Sequence, residues 1–200
     1  MEIRDAVTAG NLARLQKLLD DGVNLDNKDE DERTPLHWAA GSGALEVVEF
    51  LVEKASARLN VQDDAGWTPL MSAASAGHSE IVSFLLSHGA DANIPNENGQ
   101  LPLHYHKGRQ QIAELLLDYT KDINHALAID VVGKTDYMVH ALGNTPLHLA
   151  LHEGHEDIAR FLMEQGADPL VQNNHKVRCM DLARTALRAE MHAMVEKATP

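Results

Sequence analysis

The stretch Thr34-Pro35-Leu36-His37-Trp38-Ala39-Ala40 decides the fold of this 200-residue chain, because variants of it recur at a nearly constant interval. Further copies begin at Thr68, Leu101 and Thr145, and a degenerate copy begins at Arg178. The intervals between their first residues are 34, 33, 44 and 33 positions. Self-similarity at such a period indicates a solenoid, in which each supersecondary unit buries its apolar face against its neighbours.

Each copy has the residues that a short helix needs at its start. Thr34 is suited to the N-cap, where its hydroxyl accepts a hydrogen bond from a backbone amide, and Pro35 is favoured at the first helical position. A second apolar segment with helical spacing follows, for example Val47, Val48 and Leu51. The period and the Thr-Pro-Leu-His-x-Ala pattern resemble the ankyrin repeat. That resemblance implies an all-α, ankyrin-repeat solenoid of about six stacked helix pairs with β-hairpin fingers.

The repeat divides one domain, residues 1–200, into successive units. We expect an N-terminal cap repeat over 1–33, repeats over 34–67, 68–100, 101–134 and 145–177, and a C-terminal cap over 178–200. The long interval leaves residues 135–144, for which two interpretations stay open. They are either a truncated repeat that begins at Thr135 or an extended finger, and both predict an irregular segment near 125–143.

Composition limits the kind of partner. The chain has 17 basic and 30 acidic residues, which gives a formal net charge of −13. Binding to nucleic acid or an anionic membrane depends on basic side chains, so we expect neither as a partner. A basic protein surface matches this charge better. The chain has one cysteine and lacks a long apolar run. We therefore expect a soluble chain in a reducing compartment. We further expect the chain to be cytoplasmic and nuclear, and monomeric when free.

Twelve histidines and one cysteine are the candidates for catalysis or metal binding. His37, His104 and His148 each hold the fourth position of the repeated pattern, where an imidazole is expected to join neighbouring loops by hydrogen bonds. Cys179 holds the proline position of the degenerate copy, where a small packing residue is expected. The sequence contains neither a His-Glu-x-x-His motif nor paired cysteines. It therefore predicts no catalytic residue, no metal site, no cofactor and no enzymatic activity.

The two tryptophans are candidate anchors for a protein partner. Trp38 follows the signature histidine on a first helix, and Trp67 lies at the base of a finger. Tryptophans often dominate binding energies at interfaces, although each could instead pack against the neighbouring repeat. Charged residues on adjacent fingers accompany them, including Asp31, Arg33 and Asp64.

The sequence of the repeats is more specific than the general ankyrin pattern. Segments 33–39, 46–51, 63–70, 73–77, 102–105 and 143–150 closely resemble the gankyrin family of ankyrin-repeat subunits, which chaperone assembly of the proteasome regulatory particle. The resemblance implies a concave surface that binds the C-terminal domain of an AAA ATPase subunit. The matching positions are Asp31, Arg33, Trp38, Asp64, Trp67 and Lys107.

In this interpretation the acidic side chains meet basic residues of the partner, whereas Arg33 and Lys107 meet partner carboxylates. An ankyrin-repeat regulator of a cyclin-dependent kinase or of a transcription factor stays open as the alternative.

Overall fold

Short helices follow one another in pairs along the chain. The structure is a computed structural model that describes residues 2–106, 109–125 and 143–198. Its α-helices are α1 (Glu2–Thr8), α2 (Leu12–Asp20), α3 (Pro35–Ser42), α4 (Leu45–Glu53), α5 (Pro69–Ala76), α6 (Ser79–Ser87), α7 (Gln110–Leu117), α8 (Pro146–His152), α9 (Glu156–Glu164), α10 (Cys179–Leu182) and α11 (Thr185–Ala198). A 3-10 helix, Pro102–Tyr105, precedes α7.

The first helix of a unit begins at the repeated motif, as the sequence predicts. The Thr68 hydroxyl accepts a hydrogen bond from the Met71 amide over 3.3 Å, and a proline follows the cap. Gly77 ends α5 in the left-handed conformation, with φ of 90°, so the chain reverses at once into α6.

Two layers of helices form the solenoid. The first helices of successive units pack side by side, from α1 through α3, α5, the 3-10 helix and α8 to α10. The second helices α2, α4, α6, α7 and α9 pack in the same order. Alanines such as Ala39, Ala40, Ala73 and Ala74 are fully buried where α3 meets α5, and one apolar core runs from Ala6 to Met191. The predicted stacking of short helix pairs is therefore confirmed.

The unit that begins at Leu101 departs from the others. Its first helix is a single 3-10 turn of 4 residues, whereas the corresponding α3 and α5 each have 8. The unit is two residues shorter at this turn, and Arg109 already precedes α7. The shorter first helix thus accompanies a shorter unit.

The fingers between units are built on side-chain hydrogen bonds. In the first finger, Asp29 Oδ1 accepts hydrogen bonds from the backbone amides of Asp31 (3.0 Å) and Arg33 (2.9 Å). The described residues contain one isolated β-bridge, between Gln172 and Arg178, and no strand. The β-hairpin form of the fingers thus stays unconfirmed.

Two further predictions concern residues that the structure does not describe. Residues 126–142 and Lys107 lie outside the described ranges, so the truncated repeat or extended finger at 135–144 stays a prediction. The count of about six pairs stays a prediction for the same reason. Within the described ranges, each helix is too short or too polar to cross a lipid bilayer.

Candidate functional site: a groove between two fingers

Five of the six predicted site residues line one groove of about 800 Å³. Asp31 and Arg33 come from the first finger, Asp64 and Trp67 come from the second, and Trp38 comes from α3. Small residues of α3 and α5 also line it, namely Gly41, Ser42, Ser72, Ser75 and Ala76. The sixth predicted residue, Lys107, lies outside the described residues.

The two fingers are held in register by their backbones. The amide of Asp64 donates to the carbonyl of Asp31 over 3.2 Å. In the second finger, Asp63 Oδ1 accepts from the amides of Ala65 (3.0 Å) and Trp67 (2.7 Å). The side chains of Asp31 and Asp64 remain exposed at the rim, so this rim presents negative charge to solvent.

Arg33 is engaged within the chain itself. Its guanidinium contacts the carboxylate of Asp31 and lies over the Trp38 ring, with Cζ 4.1 Å from the ring centroid. Such a cation–π contact fixes both side chains. A carboxylate of a binding partner would therefore meet an arginine that already forms an ion pair with Asp31.

Trp38 is held at the edge of its ring. The indole Nε1 donates to Asp29 Oδ2 over 2.9 Å, and the side chain is half-buried. Burial raises the pKa of Asp29, but hydrogen bonds from Trp38 and from the amides of Arg33 and Asp31 together lower it by more. The pKa of Asp29 is therefore below its ordinary value. Asp29 is consequently a stable anion that accepts all three bonds.

Trp67 packs against an aromatic residue of the unit that begins at Leu101. Its ring centroid lies 4.6 Å from that of Tyr105, with the planes tilted by 47°. Tyr105 and Asp29 were not among the predicted site residues. For Asp29 the sequence did contain a signal, because an Asp or Asn stands five residues before four of the five copies of the repeated motif, at positions 29, 63, 96 and 173.

The signature histidines have the structural role that the sequence predicts. His37 Nδ1 accepts from the Thr34 amide over 3.0 Å, which places the ring proton on Nε2. Burial lowers the pKa of His37, so the imidazole is neutral. The ring therefore holds the helix start and is not poised for proton transfer.

Cys179 and His148 form the one thiol–imidazole contact among the described residues, with Sγ 3.1 Å from Nδ1. Cys179 is fully buried, and burial raises the pKa of its thiol to about 12. A protonated thiol in an apolar core is a packing residue. In the described part of the chain, no group of three or more His, Cys, Asp or Glu side chains is arranged to hold a metal ion.

Comparison with known proteins agrees with the stacked geometry. A family model described as ankyrin repeats matches three overlapping stretches, residues 3–96, 56–127 and 89–173. Together they cover most of the chain. The chain belongs to the ankyrin-repeat family.

Individual relatives within the ankyrin-repeat proteins include proteasome subunits. The probable 26S proteasome regulatory subunit p28 of Saccharomyces cerevisiae is 30% identical over 168 residues, which is 82% of this chain and 68% of that protein. The 26S proteasome non-ATPase regulatory subunit 10 of Dictyostelium discoideum is 41% identical over 66 residues, 32% of this chain and 28% of that protein.

A putative palmitoyltransferase of Danio rerio is 28% identical over 156 residues, 76% of this chain but only 22% of that protein. The chain thus matches less than two thirds of the Dictyostelium and Danio proteins. Together the comparisons establish homology to proteasome regulatory subunit p28 at modest identity, and they point to a non-catalytic protein-binding scaffold.

Proposed function

We propose that this chain is a gankyrin-like, non-catalytic assembly chaperone that binds the C-terminal domain of a proteasomal AAA ATPase subunit. It would hold that domain while the regulatory particle assembles, in the cytoplasm and nucleus. The proposal starts from the homology to proteasome subunits and adds a binding partner. The groove between the first two fingers is the binding site in this proposal.

The observation that carries the proposal is the combination of two half-buried tryptophans with an acidic rim in one groove. Large aromatic side chains bury much apolar area on binding at low entropic cost, so they act as anchors. Exposed carboxylates such as those of Asp31 and Asp64 attract a basic partner surface and accelerate encounter. Such a groove suits a folded protein domain with Lys and Arg around an apolar patch.

Titration of the purified chain with recombinant C-terminal domains of the proteasomal ATPases tests the proposal. One of the domains should bind, with an affinity that falls as salt increases. Absence of binding to every domain at low salt would refute the partner.

Reversal of one charge tests the groove itself. Arg33→Glu should weaken binding about tenfold at low salt, because in this proposal Arg33 meets a partner carboxylate, which a glutamate would repel, and because the substitution removes the cation over Trp38. Arg184→Glu is the matched control, since Arg184 is exposed on the far end of the chain, outside the groove. Equal affinities of the two variants would exclude this groove. Affinity purification from cells that recovered a kinase instead of regulatory-particle subunits would favour the alternative function.

A further inference from the structure

The carboxylate of Asp29 accepts hydrogen bonds from two different parts of the molecule. Its Oδ1 accepts the finger amides of Asp31 and Arg33, over 3.0 and 2.9 Å. Its Oδ2 accepts the indole N–H of Trp38, nine residues further along, over 2.9 Å. One side chain thus shapes the first finger and fixes a ring of the groove at the same time.

The same arrangement recurs two units later with the chemistry reversed. Asn96 Oδ1 accepts from the finger amides of Asn98 (3.0 Å) and Gln100 (2.9 Å). Its Nδ2 donates over 2.8 Å to the hydroxyl oxygen of Tyr105, again nine residues away. The Tyr105 hydroxyl in turn donates to Gln100 Oε1 over 2.6 Å. A carboxylate is paired with an N–H donor in the first case, and an amide N–H is paired with an oxygen acceptor in the second.

Two further fingers in the described part of the chain show that the ring bond is not needed to shape a finger. Asp63 and Asn173 accept finger amides through Oδ1 over 2.7 to 3.0 Å in the same way. Nine residues beyond them the chain has Ser72 and Leu182, which have no ring. Asn96 Nδ2 also donates to Gln100 Oε1 within the finger, over 3.3 Å. The bonds that join Asp29 to Trp38 and Asn96 to Tyr105 are therefore additional to those that shape a finger.

These additional bonds act on the two tryptophans of the groove. Asp29 fixes Trp38 directly, and Asn96 fixes Tyr105, whose ring stacks on Trp67 at 4.6 Å. Side chains that are already ordered lose less conformational entropy when a partner binds. We propose that Asp29 and Asn96 are positioning residues, which hold Trp38 and Trp67 in their binding orientation before the partner arrives. The binding part of this inference rests on the proposed function.

The free chain allows a direct test of Asp29. The sequence has two tryptophans, so an NMR spectrum should show two indole N–H signals, and Trp67→Phe assigns them. Asp29→Asn keeps an oxygen for the finger amides but replaces the acceptor of the indole by an NH2 group. In this variant the Trp38 signal should shift, and its exchange with solvent should become about tenfold faster, as expected for loss of a hydrogen bond worth about 1.4 kcal/mol.

Asp63→Asn is the matched control in the free chain. It makes the same substitution at the equivalent place of the next finger, so the Trp38 signal should keep its position and exchange rate. Urea unfolding of both variants verifies that they are folded. An Asp29→Asn protein whose Trp38 signal and exchange rate equal those of the wild type would overturn the inference.

Tyr105→Phe tests the second position. It removes the hydroxyl that both Asn96 and Gln100 contact but keeps the ring beside Trp67. In a Trp38→Phe background, quenching of Trp67 fluorescence by acrylamide should increase at least twofold, because the ring under Trp67 is no longer held. Unchanged quenching would contradict the role of Asn96.

Binding of the ATPase C-terminal domains completes the test. Asp29→Asn should weaken the affinity of the domain that binds about tenfold, mainly through faster dissociation. A displaced indole with unchanged affinity would mean that the orientation of Trp38 does not matter for binding, and would overturn the inference. If no domain binds the wild type, the proposed partner is wrong, and the indole signals alone decide whether Asp29 holds Trp38.

Discussion

His37 Nε2 lies 3.0 Å from the carbonyl oxygen of Trp67, which ends the finger that leads into the following repeat. Because the Thr34 amide occupies Nδ1, the neutral ring donates through Nε2. Equivalent bonds join His104 to the His125 carbonyl over 3.2 Å and His148 to the Val177 carbonyl over 3.1 Å. Each imidazole therefore fastens the start of one unit to the finger that leads into the next.

We predict that His37→Ala destabilises the chain by about 2–4 kcal/mol. The substitution leaves the buried Thr34 amide without its acceptor and opens a space beside the finger. Urea unfolding gives the free energy of unfolding. His175→Ala, at an exposed finger position, should change that free energy by less than about 0.5 kcal/mol. Similar values for the two variants would mean that the imidazole of His37 contributes little.

A second prediction concerns Gly66 at the tip of the second finger. Its φ is +75°, and a Cβ there would lie 2.7 Å from the Glu97 amide nitrogen, which donates to the carbonyl of Ala65 over 3.1 Å. Gly66→Ala should therefore strain the backbone and also separate the second finger from the third. Gly89→Ala isolates the backbone contribution, since Gly89 has φ of +95° with no atom within 4 Å of the added carbon.

We expect Gly89→Ala to cost about 1 kcal/mol and Gly66→Ala at least about 1 kcal/mol more. Urea unfolding compares the two variants, and hydrogen exchange should show the Glu97 amide less protected only in Gly66→Ala. Equal losses of stability would show that the contact between fingers adjusts without cost.

The stacking of units could be predicted because its determinants are local and periodic. Thr68 caps α5 by accepting a hydrogen bond from an amide three residues away, and Gly77 ends the same helix, so both act within a single unit. The 3-10 helix Pro102–Tyr105 was not predicted. In this unit the second helix begins two residues sooner after the proline than in the units of α3 and α5. Helix propensity does not express that difference in spacing.

The site was predictable only in outline. Trp38, Asp31 and Asp64 meet in one groove because equal spacing places corresponding positions of adjacent units side by side. The role of Asp29 depends on a side-chain bond between residues 29 and 38, and the contact of Trp67 with Tyr105 joins two units. Such pairings depend on side-chain direction, which the repeat period does not specify.

The buried histidines predict an acid-sensitive fold. Burial lowers the pKa of His104 to about 3 and that of His106 to about 4, from an ordinary value of 6.5. The unfolded chain therefore binds protons below pH 6.5 that the folded chain does not bind. The two neutral histidines contribute fully to stability above pH 6.5, and this contribution is lost as the pH falls toward their pKa values in the folded chain.

Between pH 6 and 5 each such histidine should lower the free energy of unfolding by about 1 kcal/mol per pH unit. Urea unfolding at pH 7, 6 and 5 measures this slope. His104→Gln introduces an amide that does not titrate, so the slope should decrease by the contribution of one proton. A variant with the slope of the wild type would show that His104 is not responsible.

The last prediction concerns the thiol of Cys179, which a cysteine enzyme would need as a nucleophile. Its Sγ lies 3.1 Å from His148 Nδ1, but the Thr145 amide also donates to that nitrogen over 3.1 Å, so Nδ1 is not free to take the thiol proton. With a pKa of about 12 and no exposed surface, Cys179 should be at least about 100-fold less reactive than a thiol in the unfolded chain. Labelling with a thiol-specific disulfide reagent at pH 8, with and without urea, measures the ratio. Rapid labelling of the folded chain, at a rate that rises with pH and reaches half its maximum below pH 8, would instead indicate an activated thiolate and contradict the non-catalytic interpretation.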